Sequence, residues 1–546
     1  MNLLETAWIP VRRASGQQDW VAPWQIAEPD IVALDSVRAD FNGALVQFLI
    51  GLIQTTTPMD SHAQWQQWYD RPPSAEQLKE WFAPVLFAFE VAGDGARFMQ
   101  DFSLRTMNVA DKDFNDIGAL LIESPGENTL KENKDHFIKR GSVSGLCPCC
   151  AVTALFTLQT NAPSGGNGHF TSIRGGGPLT TLVVAEPERP LWSTVWLNVR
   201  ERSQFIGSGS NAAFQALHYI FPWLVDMAQI QPSGGKTAPV QVHPFHVFWG
   251  MPRRIRLDLG RVKAGRCSLC DRESDKLVIR YLTKAKGFDY KGAWEHPLSP
   301  YYENKPGEFL PVHPGPDGFG YKHWLGWTLG SQGDKKRVQA AAIVSHVLSG
   351  RRIHGKQFRL WAFGYDMDNM KTRCWYESTF PLYGLPERDR EARDFVQREL
   401  EKWLSAADLA AFYLRSAVRS AWFSDGADVK GDWGFVDASF WSATESWFYR
   451  HLQQLIELAR EDNDEEDELI LRPLRKSWHE HLSKTAVRLF DADLVGAAPV
   501  ERQNPRRVAE AEKRLRTSLW GKKLKETLKL PDEKMAKAGK SAKRVA

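Results

Sequence analysis

Apolar positions along the chain fall into two regimes. From Met1 to about Phe380, short apolar or alternating runs are broken by Gly and Pro. Leu179–Ala185 (LTTLVVA), Ser193–Val199 (STVWLNV) and Lys276–Leu282 (KLVIRYL) predict strands. Helical spacing intrudes at Phe41–Gln54, which is apolar nearly all round, and again at Lys336–Leu348. Beyond Leu385, the segments Arg388–Leu404, Ala406–Phe423, Ala438–Arg460, Leu469–Phe490 and Arg506–Leu528 carry apolar residues at helical spacing with charged faces between. Four or five antiparallel helices of this kind form a bundle. The expected fold class is therefore α+β. A large mixed domain with long loops occupies 1–380, an antiparallel four-helix bundle occupies 385–530, and 531–546 is a disordered basic tail. The acidic run Glu461–Glu468 falls between two helices and reads as a solvated turn.

Composition narrows the class. A chain of 546 residues, 43% hydrophobic and 25% charged, can bury more than one core. No run approaches the roughly eighteen apolar residues of a membrane span, and the start MNLLETAWIPVRR has no basic segment leading into an apolar one. A cytoplasmic protein is expected, with no membrane partner. Charge adds one feature: residues 501–546 hold fifteen Lys and Arg against six Asp and Glu, so the preceding part is net acidic although the whole is +4. Such a tail either tracks a phosphate backbone or is simply solvated. The 22 Trp and 29 Phe could stack on bases, but most such rings are core.

Six cysteines are too few for a disulfide scaffold, and four stand in pairs, Cys147/Cys150 and Cys267/Cys270. Two C-x-x-C knuckles can close a tetrahedral structural zinc site with thiolates about 2.3 Å from the ion. The alternative is buried free thiols, and Cys149 could replace either neighbour as a ligand. Four thiolates leave no open position for a substrate, so zinc here argues for scaffolding.

Asn161–Pro178 reads NAPSGGNGHFTSIRGGGP. Its glycines let backbone approach another chain and present bare amides, although a flexible linker has the same composition. No Lys-Ser/Thr follows the last glycine, which excludes a Walker A loop. Ser124–Leu146 places Lys131, Lys134, Lys139 and Arg140 around His136 and Phe137, which suits a nucleic-acid strand as well as it suits a plain surface loop. No H-E-x-x-H, G-x-S-x-G or His-Asp doublet is present, and His243 and His246 sit in an apolar run as core residues, so no reaction is expected.

An ordered set of fragments resembles the CasA family, the large subunit of the type I-E CRISPR Cascade surveillance complex. They are N-L-L-x-x-x-W-I-P-V-R at Asn2–Arg12, Phe98-Met-Gln, the paired knuckles, R-G-G-x-P at Arg174–Pro178, S-T-V-x-L-N-V at Ser193–Val199, G-x-W-x-H-P-x-S-P at Gly292–Pro300, Gly364-Tyr365, and F-Y-R at Phe448–Arg450. The resemblance implies a non-catalytic subunit of an RNA-guided complex. Such a subunit inspects the short motif beside a double-stranded DNA target from the minor groove, helps open the duplex and recruits a helicase-nuclease. Its implied partners are guide RNA and the other Cascade subunits. Residue by residue, the family's glycine loop falls on Gly165, Gly166, Asn167 and Gly168, and its minor-groove lysine on Lys286, with Lys284 as the fallback. Its wedge falls on Asp368, Asn369 and Met370, where the family pattern is Asn-Gln-Ala. An Asp there would repel phosphates unless it accepts from a base amino group. Lys131, Lys134, Lys139 and Arg140 are the implied phosphate partners. Two rival readings remain: a zinc-dependent enzyme that cleaves nucleic acid, and a structural assembly subunit that reads no motif.

Overall fold

The structure is a computed structural model. It describes residues 1–531 except 108, 127–129, 132–140, 167, 186–188, 208–213, 334–335, 350–357, 369–370, 385–389, 425–430, 432, 461–466 and 498–503. The expected basic tail thus lies almost wholly outside the described residues, as does most of the acidic run. Among the described residues no helix is long and apolar enough to cross a membrane. The fold is of the α+β class, and the chain divides into two compact units.

The first unit takes Met1–Gly315, Ala340–Val347 and Gln357–Thr379. Its strands include β1 (Ile9–Arg13), β2 (Gln18–Val21), β3 (Ile31–Leu34), β4 (Phe114–Asp116), β5 (Thr180–Val184), β6 (Arg254–Leu257), β7 (Val262–Arg266), β8 (Glu273–Val278), β9 (Arg280–Lys284), β10 (Phe358–Asp368) and β11 (Lys371–Leu382), besides the short pair Tyr301–Glu303 and Phe309–Pro311. They make small sheets in the orders β2-β1-β3, β4-β9-β6, β7-β8 and β11-β10-β5. In the last of these β5 runs antiparallel to β10, with Leu182 opposite Trp361. Helix α1 (Ala39–Thr56) is buried along nearly its whole length, as an all-round apolar helix must be. Its Phe48 is met edge-on by Trp8, Phe89, Phe98, Phe156 and Trp249 at 5.2–5.9 Å between ring centres. Phe156 comes from α2 (Pro148–Asn161), which begins inside the first knuckle.

The second unit holds Pro316–Gln339 and the chain from Phe380. Helices α3 (Arg390–Trp422), α4 (Gly434–Arg460), α5 (Asp467–Arg488) and α6 (Pro505–Leu519) dominate it, and α3 packs against each of the other three. Trp447 stacks on Trp478 at 4.4 Å, and Phe448 stacks on the buried ring of Tyr321 at 4.4 Å. Among the described residues one ion pair is buried on both sides: Arg475 Nε and Nη2 each donate to Glu399 at 2.7 Å. Glu468, the last residue of the acidic run, accepts from Arg475 at 2.9 Å and is therefore part of this network and not only a solvated turn.

Five expected elements need correction, the first being Arg506–Leu528, which is two helices, Pro505–Leu519 and Lys522–Thr527, parted at Gly521. Ser193–Val199 is not a strand: Leu191–Leu197 is helical. Trp192 and Trp196 stack at 5.1 Å one turn apart, whereas a strand would hold them about 13 Å apart. Both indoles donate to carbonyls of the helix His62–Asp70, and this packing overrides β-branched propensity. Lys276–Leu282 is two strands, because the chain leaves its pairing with β7 for the β4-β9-β6 sheet at Ile279. Lys336–Leu348 opens as a strand (Lys336–Gln339) before the helix Ala342–Ser349. The two helices expected over 388–423 are one continuous helix, α3.

The core reading of the histidines holds. His246 is fully buried between the Tyr219 carbonyl (3.1 Å) and the Tyr290 hydroxyl (3.0 Å). Burial pulls His246 and His243 down to about 4, and it pulls His323 to about 3. Because these folded values lie below the usual 6.5, the unfolded chain binds the protons first. Stability is therefore full above pH 6.5 and declines as the pH falls from there towards 4, by about 1.4 kcal/mol per histidine for each pH step of one. Thermal melts across this window should show the midpoint falling with pH. A midpoint constant from pH 7 to 5 would contradict the assignment.

Candidate nucleic-acid interface and metal site

The glycine segment 161–178 is pinned at both ends and shaped by glycine between them. At its near end Asn161, the last residue of α2, accepts at its carbonyl from Gly177 N (3.0 Å), and Ala162 O accepts from Ser172 N (3.1 Å). At its far end Arg174 is buried to 3% exposure and donates to Gln47 of α1 (2.5 Å), Thr180 of β5 (2.9 Å) and Ser299 (3.0 Å). No carboxylate pairs with it among the described residues, and burial pulls its pKa down to about 10. The motif R-G-G-x-P thus marks an anchor, a role that sequence reasoning did not give to Arg174.

Between the anchors the loop meets two other elements. Gly168 has φ +80° and its carbonyl accepts from Lys286 N at 2.8 Å. A Cβ on Gly168 would lie 3.1 Å from both Lys286 N and Cγ. Lys286 is exposed and itself left-handed (φ +62°), a conformation that costs a non-glycine residue energy. The next residue, Gly287, lies so close to Pro252 that a Cβ would strike its carbonyl. On the other side, Gly177 (φ +61°) packs on β10, where a Cβ would lie 2.7 Å from Tyr365 O.

Strand β10 leads to Asp368 and β11 leaves from Lys371, so the expected wedge falls at the join of these two strands. Asn369 and Met370 lie outside the described residues, as does Asn167. Asp368 is exposed and 4.0 Å from Arg373, which also clamps Asp366 at 2.7 Å, so its charge is partly offset. The stem is tied to the body by Tyr365 Oη, which donates to the buried Asp40 of α1 at 2.6 Å. The structure thus joins the glycine segment to Lys286 and to the wedge strand through direct contacts. Of the basic loop, Lys131 is exposed, and Lys134, Lys139 and Arg140 lie outside the described residues.

Cys147, Cys150, Cys267 and Cys270 bring their sulfurs within 4.8 Å of one another. The first knuckle is set by the start of α2, where Cys150 N points at Cys147 Sγ (3.5 Å). The second is the turn of the β7-β8 hairpin, in which Asp271 takes φ +57° and Cys267 N donates to Arg272 O. Ser268 joins the two by accepting from Ser144 N and Gly145 N. Hydrogen bonds from the other thiols, Cys147 first, hold Cys267 well below the usual thiol value. Cys149 stands outside the tetrad, half-buried. The donor set is four soft sulfurs at tetrahedral reach, which fits a closed metal site.

Residues 2–489 match the family model of CRISPR-associated protein Cse1. The chain belongs to the Cse1 family. Solved structures agree in fold. Cse1 of Thermobifida fusca superposes with a TM-score of 0.68 at 14% identity, over 97% of this chain and 99% of that one. A CRISPR-associated protein of Thermus thermophilus gives 0.67 at 15%, over 95% and 99%. A chain described as part of a CRISPR RNA-guided surveillance complex gives 0.61 at 14%, over 95% and 99%. Such low identity makes the internal contacts of this Cse1 chain, and not aligned letters, the guide to its site.

Gly177→Ala should destabilise the first unit by about 1–3 kcal/mol, since it combines a left-handed backbone with a clash against Tyr365. Gly16→Ala, also left-handed (φ +84°) but with open space around it, should lose only about 1 kcal/mol. Equal losses in denaturant melts would show that the close approach carries no weight.

Proposed function

We propose that this Cse1 chain is the target-inspecting large subunit of an RNA-guided type I-E CRISPR complex. It reads the short motif beside the DNA target in the minor groove, helps open the duplex and recruits the helicase-nuclease, without itself cutting. On this reading 1–380 carries the reading loops and 385–530 a helical bundle, and guide RNA and the other subunits are its partners. The observation that carries the reading is the bond from Lys286 N to Gly168 O, with Gly177 seated on β10. It supports convergence of a bare backbone, an exposed cation and a hairpin tip on one groove. The minor groove offers a degenerate pattern and a base step that costs only a few kcal/mol to unstack, so such a device reads several related motifs and starts strand opening.

The test is binding of fluorescent duplexes, with correct and incorrect flanking motifs, by the assembled complex. Gly168→Asp should abolish target binding and leave the particle intact. Lys286→Ala should lose roughly 1–3 kcal/mol and blur the preference between motifs. Glycine at Asn369 and Met370 should slow opening in a way that a pre-opened bubble rescues. Lys286→Ala weakening both motifs equally would reduce the lysine to a phosphate contact, and failure of the bubble to rescue would sink the wedge.

We also propose that the four-cysteine cluster holds one structural zinc. Tetrahedral thiolate ligation would clamp the β7-β8 hairpin to the start of α2 and leave no position for a substrate, which weighs against the reading as a zinc nuclease. Elemental analysis of chelator-free protein should find one zinc per chain, and Cys267→Ser should lower both zinc content and the melting temperature. Metal-dependent cleavage by the isolated chain, or protein without zinc, would overturn this.

A further inference from the structure

Arg253 lies beneath the glycine loop and is 7% exposed. Its backbone is clamped to α2: Arg253 N donates to Gln159 Oε1 at 3.0 Å, and Gln159 Nε2 donates to Arg253 O at 2.9 Å. Its guanidinium donates from Nη2 to the carbonyl of Pro163, at the entrance to the loop. Its Nε is buried without a hydrogen-bond partner. A Cβ on Gly165 would lie 2.6 Å from His169 Cβ, 2.7 Å from Arg253 Nη1 and 3.3 Å from Arg253 Nη2. The cation therefore stands directly behind the backbone of Gly165, and that backbone is exposed.

No Asp or Glu pairs with Arg253 among the described residues, and burial pulls its pKa down, to about 10. It remains a cation at neutral pH. A buried charge with one unsatisfied donor and no counter-charge is costly, and the cost falls when an anion arrives. Other groups at the site leave that role open. His169 is held low by burial and by the charge of Arg253, so it is neutral at pH 7 and adds no competing charge. The turn carrying Lys286 packs on Pro252, which brings a second, exposed cation to the same edge.

We propose that Gly165 and Arg253 form a phosphodiester subsite: a phosphate of the target duplex seats on the exposed backbone at Gly165–Gly166, and Arg253 acts on it through the space where a side chain would stand. Gly165 is then a glycine for two reasons. A Cβ would collide with His169 Cβ and with the guanidinium, and it would also screen that charge from the ligand. Arg253 is in this sense a positioning residue, since it holds the loop through Pro163 and sets the field at its surface. The inference rests on the reading of the glycine loop as the DNA-facing element.

The experiment uses the assembled complex with Arg253→Gln and Arg253→Lys. Duplex affinity is measured over a range of salt and on duplexes carrying one neutral methylphosphonate at successive positions beside the target. Arg253→Gln should weaken binding about tenfold at low salt and flatten the plot of log affinity against log salt by about one. One methylphosphonate position that weakens the wild type should cost the Gln variant nothing, and Arg253→Lys should keep the wild-type slope. If Gln and Lys weaken binding alike with the slope unchanged, the residue is only structural and the subsite is refuted. Loss of guide RNA from the Gln complex in step with the loss of duplex binding would refute assignment to the duplex. If Gly168→Asp still abolishes binding while Arg253→Gln does nothing, the subsite fails and the loop reading stands. If neither change affects binding, the loop reading itself fails.

Discussion

The buried guanidinium of Arg174 is the contact on which the candidate interface depends. It links the glycine segment to α1 through Gln47, to β5 through Thr180, and to the loop before residue 300 through Ser299. Removing an arginine from water costs several kcal/mol, and here only neutral hydrogen-bond acceptors offset that cost. An interaction of this kind is intolerant of displacement: moving any one acceptor strands a buried charge. The segment between Asn161 and Pro178 is thus held in one place although its glycines would leave a free peptide mobile.

That fixed position gives the glycines their meaning. Gly165, Gly168 and Gly177 each face a group that a side chain would hit, namely Arg253, Lys286 and Tyr365. Three close approaches in one segment bring two cations and one hairpin stem to a single backbone. The cysteine tetrad lies elsewhere in the first unit, where four sulfurs gather the β7-β8 hairpin and the start of the helix that leads into the glycine segment. Four thiols facing one another without an ion would be a poor way to fill a core, which is the physical case for a metal there.

Legibility differed by kind of feature. The long helices α3 to α6 and the buried α1 were readable because 3.6-residue periodicity survives any tertiary context. The C-x-x-C pairs were readable because two thiolates at that spacing serve one ion whatever lies between the pairs. Ser193–Val199 was misread because alternation and β-branching are weak where two tryptophans can stack one helical turn apart and bond to a neighbouring helix. Lys276–Leu282 was misread because alternation does not say when a strand changes partners.

By itself, then, the sequence determined the fold class, the helical C-terminal part, the four cysteines that cluster and, through an ordered set of fragments, the family. Those depend on local spacing and on residue types whose chemistry is the same everywhere. Only the tertiary structure decided that Lys286 hydrogen-bonds to Gly168, that Gly177 rests on Tyr365, and that two buried arginines with no carboxylate partner among the described residues lie along the glycine segment. The reason is that a buried cation and an exposed one are the same letter in the sequence. Whether an arginine is paired, orphaned or aimed at a ligand follows from which distant backbone folds over it.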